Sequence, residues 1–485
     1  MRLNRFVLVA VVVLLVGASV LGVLTGAFAS AARAGLTATG LLSDGGASTV
    51  APTALKPRPA SAGTSNTPAP TAPASAAPDE LPDVMPVAAA KAPPVKSRLD
   101  RALASIDHKA MKGRYSGSVL DVGTGRAVYA HNAGKAAIPA STLKLVTAAA
   151  ALSVLGPQHR FSTQVVSPRS GRIVLVGGGD PYLVDAPTPR HPGAASVARL
   201  AQLTAARLKE TRQAKVSLGY DASLFTGPAW HPDWPPMYSD QVTPISALWV
   251  NEGRRYGSTG PRVSKPALVA AETFARALRR NGIRVTDIRS TKKPRQAQPV
   301  AAVASQTLDR IVEHMLMVSD NDASEVLARQ AAVGAGQPGS FAAARQVVRA
   351  QLVKLGVWDE RAQLRDGSGL SRRNKLPAAL LTKLLRVSQS TEHPELRGVL
   401  TGLPVAGVEG SLRIRYLDRV GRPARGLLRG KTGTLTGVHG LAGYLRRPDG
   451  SVLAYAFLVN DAKDGQAARL WLEHVTATLS SCRCR

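Results

Sequence analysis

The stretch IPASTLKLVTAAAAL, residues 138–152, places Ser141 and Lys144 three positions apart at the head of an alanine-rich run. Alanine and leucine favour helix, so the run predicts a helix from Ser141 to about Leu155. One helical turn returns residue i+3 to the same face, which lets the two side chains meet. The pair fits a serine nucleophile with a lysine base, and equally a capped helix with an incidental lysine.

Two later stretches change that balance. Ser319–Asn321, read Ser-Asp-Asn, follows an amphipathic segment and precedes a second predicted helix, which puts it on a tight loop between helices. Lys431–Gly433, read Lys-Thr-Gly, lies on a predicted strand of small residues that a substrate backbone can approach. Ser-x-x-Lys, Ser-Asp-Asn and Lys-Thr-Gly in this order are the signature of penicillin-recognising serine enzymes, so their joint occurrence favours the nucleophile.

Further motifs make the resemblance more specific. The chain has GGGDPYL at 177–183, TPISALWVNEG at 243–253, DGSGLSRRN at 366–374 and LPVAGVEGSL at 403–412. With the three catalytic motifs, these resemble the low-molecular-mass class C penicillin-binding proteins, the D-alanyl-D-alanine carboxypeptidase/endopeptidase family. The similarity extends over nearly all of 97–485.

The resemblance implies an α+β fold, with a β-lactamase/transpeptidase-like catalytic domain interrupted by an inserted α/β domain. Lys144 and Ser319 lie 175 positions apart, more than a compact β-lactamase core needs between these elements. We expect the inserted domain at 165–300 and the catalytic domain at 97–164 and 301–485.

The resemblance also implies catalytic roles. Ser141 is the acylated nucleophile and Lys144 the base that takes its proton. Ser319 and Lys431 relay a proton to the departing D-alanine, and Asn321 holds the acyl-side amide. On the strand, Thr432 and Lys431 would lie near the substrate carboxylate, and Gly433 is a small residue that the substrate backbone can approach. The main-chain N–H of Thr434 would form the oxyanion hole together with the N–H of Ser141.

A pocket for the diaminopimelic acid side chain is implied by WHPDWPPMY, residues 230–238. Its Asp233 would pair with the free ammonium, beside Trp230 and Tyr238, while Leu370 and Arg372 line the opposite wall. For Trp230 and Tyr238 the alternative is ordinary core packing.

The N-terminus predicts export. Arg2 and Arg5 precede an uncharged run, 6–32, so residues 1–34 are a cleavable signal peptide or an uncleaved membrane anchor. Residues 35–96 are rich in Ala, Pro, Ser and Thr and predict a disordered tether. We therefore expect an extracytoplasmic protein, either secreted or anchored to the membrane.

The net charge of +30, of which about +27 falls on 97–485, suggests association with polyanions. The basic residues are scattered, aromatics make up only 4%, and no nucleic-acid-binding motif is visible, which argues against nucleic acid. Anionic lipid and anionic cell-wall polymers both stay open as polyanions, and association with wall polymers is our hypothesis. Cys482 and Cys484 are so close in sequence that a mutual disulfide would be strained, and we expect tail residues without a catalytic part.

The function implied is a serine D,D-peptidase without metal or cofactor that removes the terminal D-alanine from peptidoglycan stem peptides and is inhibited by β-lactams. Cleavage of cross-links by D,D-endopeptidase activity is a further expectation. Two alternatives stay open: a β-lactamase or esterase of the same fold, and a catalytically silent wall-binding protein.

Overall fold

Ten α-helices and fourteen strands form the part of the chain that the computed structural model describes, residues 94–256, 259–482 and 484. The helices are α1 (Lys96–Ala104), α2 (Lys144–Leu155), α3 (Val197–Glu210), α4 (Pro266–Arg280), α5 (Leu308–Val318), α6 (Asn321–Gly334), α7 (Phe341–Lys354), α8 (Ala378–Val387), α9 (Arg397–Thr401) and α10 (Gly465–Ser481). The strands are β1 (Arg114–Asp121), β2 (Ala127–His131), β3 (Ala136–Ala137), β4 (Ser162–Arg169), β5 (Arg172–Val176), β6 (Lys215–Asp221), β7 (Arg254–Tyr256), β8 (Thr259–Arg262), β9 (Arg284–Ser290), β10 (Gln298–Ala304), β11 (Leu376–Pro377), β12 (Leu428–Leu435), β13 (Val438–Arg446) and β14 (Val452–Asn460).

The first sheet is antiparallel, in the order β12-β13-β14-β1-β2. Its strand β14 is hydrophobic from Val452 to Val459, and the side chains of these residues alternate between two cores. Val452, Ala454, Ala456 and Leu458 pack with α2 and α5 to α8, whereas Leu453, Tyr455, Phe457 and Val459 pack with α1 and α10. Because side chains alternate along a strand, a continuous apolar run of this kind fits a sheet covered on both faces.

Helix α2 lies at the centre of the helical layer. Its sequence, KLVTAAAALSVL, is apolar on all sides, and every residue from Lys144 to Leu152 is buried. A helix of this kind is expected in the interior of a larger fold. Lys144 is its first residue, so the helix starts three residues later than predicted and Ser141 precedes it.

A second sheet uses the strands between Ser162 and Ala304, in the order β10-β4-β5-β6-β9. β5, β6 and β9 run parallel, whereas β4 and β10 are antiparallel to their neighbours. Helices α3 and α4 pack against this sheet through a core of their own. The α+β fold class is confirmed, while the domain bounds 97–164, 165–300 and 301–485 stay a prediction.

Some predictions lie outside the described residues, namely the export segment 1–34 and the tether up to residue 93. In the described part of the chain, no helix combines the length and apolar character needed to cross a bilayer. Cys482 and Cys484 form a disulfide, with their Cα atoms 5.2 Å apart, and the expectation that they have no catalytic part stays a prediction.

Candidate active site

Ser141 lies on a single 3-10 turn, Ala140–Leu143, that leads directly into α2. Strand β12 runs against this turn, and it can do so because residue 433 is glycine: a Cβ there would lie 2.7 Å from the carbonyl oxygen of Pro139. Ala140, just before the serine, has a φ of 47°, which is uncommon for a residue with a side chain. The local fold therefore holds the serine between a helix start and the edge strand of the first sheet.

The amine of Lys144 is completely buried and has three partners. Its Nζ lies 3.0 Å from Oγ of Ser141, 2.7 Å from Oδ1 of Asn321 and 2.7 Å from the carbonyl oxygen of Ser368. The last two atoms can only accept hydrogen bonds, so they engage both hydrogens of a neutral amine. The nitrogen lone pair is then left for the hydroxyl proton of Ser141, as a general base requires.

The neutral form of Lys144 is favoured by its surroundings. Burial lowers the pKa of Lys144 to about 8, although the Glu325 and Asp320 carboxyls oppose the shift. An unperturbed lysine has a pKa of roughly 10.4 and is almost entirely protonated at neutral pH. With a pKa of about 8, roughly a tenth of the Lys144 amine is neutral at pH 7 and can accept a proton, against well under a thousandth for an unperturbed lysine.

Ser319 sits where α5 ends, with a φ of 63° in the left-handed region. This conformation reverses the chain, so that the next residue, Asp320, caps α6 by accepting a hydrogen bond from the N–H of Ala323. Asn321 then begins α6 and spans the cleft: its Oδ1 accepts from Lys144, and its Nδ2 donates to the carbonyl oxygen of Gln241 at 3.0 Å. The predicted inter-helix loop is thus a two-residue turn that aims Ser319 and Asn321 at the same site.

Lys431, on β12, forms the second amine–hydroxyl pair. Its Nζ donates to Oγ of Ser319 at 2.8 Å and to the carbonyl oxygen of Thr432 at 2.9 Å. The side chain is fully buried, and burial, together with the charge of Lys144, lowers the pKa of Lys431 well below its ordinary value. The five predicted catalytic residues therefore come together as two serine–lysine pairs, with Asn321 bonded to Lys144 of the first pair.

A cleft of about 530 Å³ opens in front of both serines. Its lining residues are Ser141, Met237, Tyr238, Asp240, Gln241, Ser319, Asn321, Leu370, Thr432, Thr434, Leu435 and Thr436. The structure thus brings Tyr238, Leu370, Thr432 and Thr434 of the predicted substrate set to the cleft. Arg372 is exposed at its edge, where it donates to the carbonyl oxygen of Thr436 at 2.9 Å.

Trp230 and Asp233 lie elsewhere. The indole of Trp230 packs edge-on against Trp234 and donates to the carbonyl oxygen of Trp234, as the core-packing alternative predicts. The carboxylate of Asp233 is paired in this structure, since Arg365 and Arg373 each approach it to 3.1 Å, and its pairing with a substrate ammonium stays a prediction. Burial raises the pKa of Asp233, but the hydrogen bonds from Ser371, Arg365 and Arg373 outweigh this effect and lower it to about 2.

Sequence reasoning missed the loop that supports Lys144. Asp366 accepts hydrogen bonds from the N–H groups of Gly369 and Ser371, and Glu325 accepts from those of Gly367 and Ser368. These bonds fix the Ser368 carbonyl that holds the lysine. The loop belongs to the motif DGSGLSRRN, so its position was visible in the sequence while its role was not.

Gly369 and Ser411 are two further residues that the sequence did not assign. Gly369 has a φ of 88°, and a Cβ on it would lie 2.0 Å from the carbonyl oxygen of Ala140, so the supporting loop packs directly on the nucleophile turn. Ser411, in LPVAGVEGSL, shares a 3.0 Å hydrogen bond with the hydroxyl of Thr432. Both residues position atoms of the cleft.

Among the described residues, Glu252, Asp320 and Asp322 have carboxylate oxygens within 4.8 Å of one another, as a metal site would require. Arginine side chains neutralise this cluster: Arg262 pairs with Asp322, and Arg254 pairs with Glu252 at 3.3 Å. Two of the three carboxylates are thus paired with arginines of the protein itself.

Comparisons with known proteins agree on one family. A sequence model of the D-Ala-D-Ala carboxypeptidase 3 (S13) family matches residues 96–262 and 256–479. A carboxypeptidase of Mycobacterium tuberculosis is 34% identical over 80% of this chain and 87% of its own length. Carboxypeptidase DacB of Mycolicibacterium smegmatis is 35% identical over 83% of this chain and 88% of its own.

Among solved structures, penicillin binding protein 4 from Haemophilus influenzae has a TM-score of 0.65 and 21% identity, covering 79% of this chain and 98% of that one. A second structure of that protein, complexed with a β-lactam, has a TM-score of 0.59 and 22% identity, with the same coverage. At this identity the likeness shows the fold.

Proposed function

The chain belongs to the D-Ala-D-Ala carboxypeptidase 3 (S13) family, and from this premise we propose that the two serine–lysine pairs carry out its reaction. The protein is a serine-type D-Ala-D-Ala carboxypeptidase that acts on peptidoglycan and binds β-lactams. The observation that carries the proposal is the contact between the buried amine of Lys144 and the hydroxyl of Ser141. The catalytic set is Ser141, Lys144, Ser319, Asn321 and Lys431.

Acylation begins when the neutral amine of Lys144 takes the Ser141 proton and Oγ attacks the carbonyl carbon of the penultimate D-alanine. The negative charge that develops on the carbonyl oxygen needs donors that are already in place. The N–H groups of Ser141 and Thr434 are the proposed oxyanion hole. In support, Ser141 lies at a helix start, and Thr434 lies on edge strand β12, where it lines the cleft.

Collapse of the tetrahedral intermediate releases D-alanine, whose nitrogen must gain a proton. Ser319 is the proposed donor. Lys431 passes on to its Oγ, across their 2.8 Å contact, the proton that Lys144 took from Ser141, which leaves both lysines neutral again. The hydroxyl of Thr432, held by Ser411, lies in the same part of the cleft and suits the substrate carboxylate. Water then hydrolyses the acyl-enzyme and restores Ser141.

Asn321 is the proposed binder of the acyl-side amide. Its Nδ2 faces the carbonyl oxygen of Gln241, an exposed residue of the cleft, and a substrate carbonyl can replace that partner. Its Oδ1 stays with Lys144, so substrate binding and orientation of the base depend on the same side chain.

Slow release of bound β-lactam is part of the proposal. The buried carboxyl of Glu325 accepts main-chain hydrogen bonds from Gly367 and Ser368 and does not line the cleft, so it is not placed to activate a water there. This arrangement favours a peptidase over the β-lactamase alternative, in which acyl-penicillin turns over quickly.

We also propose an extracytoplasmic location, supported by the apolar run 6–32 behind Arg2 and Arg5. Cross-link cleavage uses the same acyl-enzyme with a different leaving amine, and the open cleft is compatible with it. Association with anionic wall polymers is supported by the charge of about +27 on 97–485.

The test is release of D-alanine from a stem peptide that ends in D-Ala-D-Ala. The wild-type chain and Ser153→Ala, a serine control on the same helix that bonds Gln351, should release it at similar rates. Ser141→Ala should release none above background. Release by Ser141→Ala at the wild-type rate would contradict the proposal, and absence of release by every form would favour the silent wall-binding protein.

A further inference from the structure

Exposed apolar side chains are concentrated in one short segment, residues 408–427, called here the arginine-rich loop. In the described part of the chain, nine large hydrophobic side chains are exposed, and five of them belong to this loop. They are Val408, Ile414, Leu417, Val420 and Leu427. Soluble surfaces carry scattered apolar residues, whereas a local concentration marks an interaction site.

The loop is anchored, so this exposure is not that of a loose segment. Tyr416, between the exposed Ile414 and Leu417, is fully buried, and its hydroxyl lies 2.9 Å from that of Thr476 on α10. The main-chain N–H of Tyr416 also donates to the carboxylate of Glu473 at 2.8 Å. The fold therefore holds these apolar side chains outward on a fixed frame.

The loop is also strongly basic. It has five arginines and two acidic residues. The acidic residues are both engaged: Asp418 bonds His474, and Glu409 lies 3.6 Å from Arg429. Four of the arginines are exposed, namely Arg413, Arg419, Arg422 and Arg425. The surface thus combines apolar side chains with unneutralised positive charge.

We propose that the arginine-rich loop docks on the surface of an anionic lipid bilayer. Apolar side chains that enter the boundary between headgroups and acyl chains, flanked by arginines that meet anionic headgroups, are the pattern of a peripheral membrane contact. A hydrophilic polyanion such as a wall polymer would form ion pairs with the arginines but would leave the side chains of Ile414 and Leu417 exposed to water. Charge complementarity and apolar exposure together favour the bilayer.

Docking would orient the cleft. Ser411, in the same loop, bonds Thr432 of the cleft, and β12 begins at Leu428, immediately after the loop. Membrane contact therefore holds the substrate-binding strand near the bilayer. This contact is separate from any predicted N-terminal anchor and independent of the acyl-transfer chemistry.

The experiment uses the full chain with an environment-sensitive fluorophore on Leu417→Cys. Val353→Cys, on α7, is the matched control, because both side chains are 55% exposed. The native cysteines are paired with each other, so the introduced thiol is the one available for labelling. Vesicles of phosphatidylglycerol with phosphatidylcholine are compared with vesicles of phosphatidylcholine alone.

If the apolar N-terminus inserted in both vesicle types, it would bring both labels near a membrane in both. Comparing position 417 with position 353, and anionic with neutral vesicles, therefore isolates the contribution of the arginine-rich loop. We expect a blue shift and at least a twofold rise in fluorescence at position 417 with anionic vesicles, both reduced by salt and by Arg413→Gln with Arg419→Gln. The label at 353 should not respond. The proposal would be overturned by an equal fluorescence response at both positions or by no response at position 417. It would also be overturned if the response at 417 depended on protein concentration in the absence of vesicles.

The peptidase assay separates this proposal from the catalytic one. Unlabelled Leu417→Cys should release D-alanine from a soluble peptide at the wild-type rate. A variant that loses the membrane response but keeps this activity is impaired in docking and not in catalysis. Ser141→Ala should show the reverse, with the membrane response kept and the activity lost.

Discussion

The Nζ of Lys144 lies 3.0 Å from the Oγ of Ser141, inside a site where both other partners of the amine are acceptors. This relationship makes the hydroxyl of Ser141 the natural proton donor to the amine. It depends on the Ser368 carbonyl and on Asn321, from two separate regions of the chain. The consequences can be tested one residue at a time.

Lys144→Met keeps an unbranched side chain and removes the amine. Because a positioned base contributes roughly 10² to 10⁴-fold to rate, the acylation rate by penicillin should fall by about that factor. Lys383→Met, on the exposed side of α8, should leave the rate unchanged. Stopped-flow or gel-based labelling gives the rates, and near-wild-type acylation by Lys144→Met would remove the base role.

The acylation rate should rise with pH, reach half of its maximum near pH 8 and level off above it. The base must be neutral, and burial lowers the pKa of Lys144 to about 8, so the protonated, inactive form dominates below that pH. At two pH units below this pKa the rate should be about 100-fold under the plateau. A flat profile between pH 6 and 9, with circular dichroism showing the fold intact, would contradict a titrating lysine base.

Ser319 can be replaced in two ways that separate chemistry from backbone conformation. Ser319→Ala and Ser319→Gly both remove the hydroxyl that bonds Lys431, so D-alanine release should fall by about 10² or more in each. At a φ of 63°, alanine carries a left-handed cost of roughly 1–2 kcal/mol that glycine avoids. In urea unfolding, Ser319→Gly should be at least as stable as Ser319→Ala, and retained activity in either would refute the relay.

Gly369→Ala tests the support of the nucleophile turn. Its Cβ would lie 2.0 Å from the carbonyl oxygen of Ala140, so overpacking of about 1–3 kcal/mol adds to the cost of a φ of 88°. Gly356→Ala is the matched control, with a φ of 68° and nothing within 4 Å of its Cβ. Gly369→Ala should unfold more easily than the control and acylate more slowly. Equal stability and equal rates would show that the loop does not press on the turn.

Much of this site could be predicted because its chemistry has a sequence signature. Ser141, Lys144, Ser319, Asn321 and Lys431 belong to three short motifs, and the structure joins them over as many as 177 positions. Strand β14 was predictable for a similar reason, since an apolar run between turn residues fits a strand in a sheet.

The rest depends on contacts that leave no local pattern. The Ser368 carbonyl is a main-chain atom, which any residue could supply. Asp233 forms ion pairs with Arg365 and Arg373, which lie 132 and 140 positions away in the chain. The motif WHPDWPPMY therefore could not show that the carboxylate already has cationic partners. The 0% exposure of Lys144, which lowers its pKa, likewise arises from packing across the whole helical layer.

The most direct test of the central claim is mass spectrometry of the chain after brief incubation with penicillin. We expect a gain of one penicillin per molecule, located on the proteolytic peptide that contains Ser141 and absent from Ser141→Ala. A covalent adduct on any other residue, or an adduct of equal yield in Ser141→Ala, would rule out Ser141 as the nucleophile.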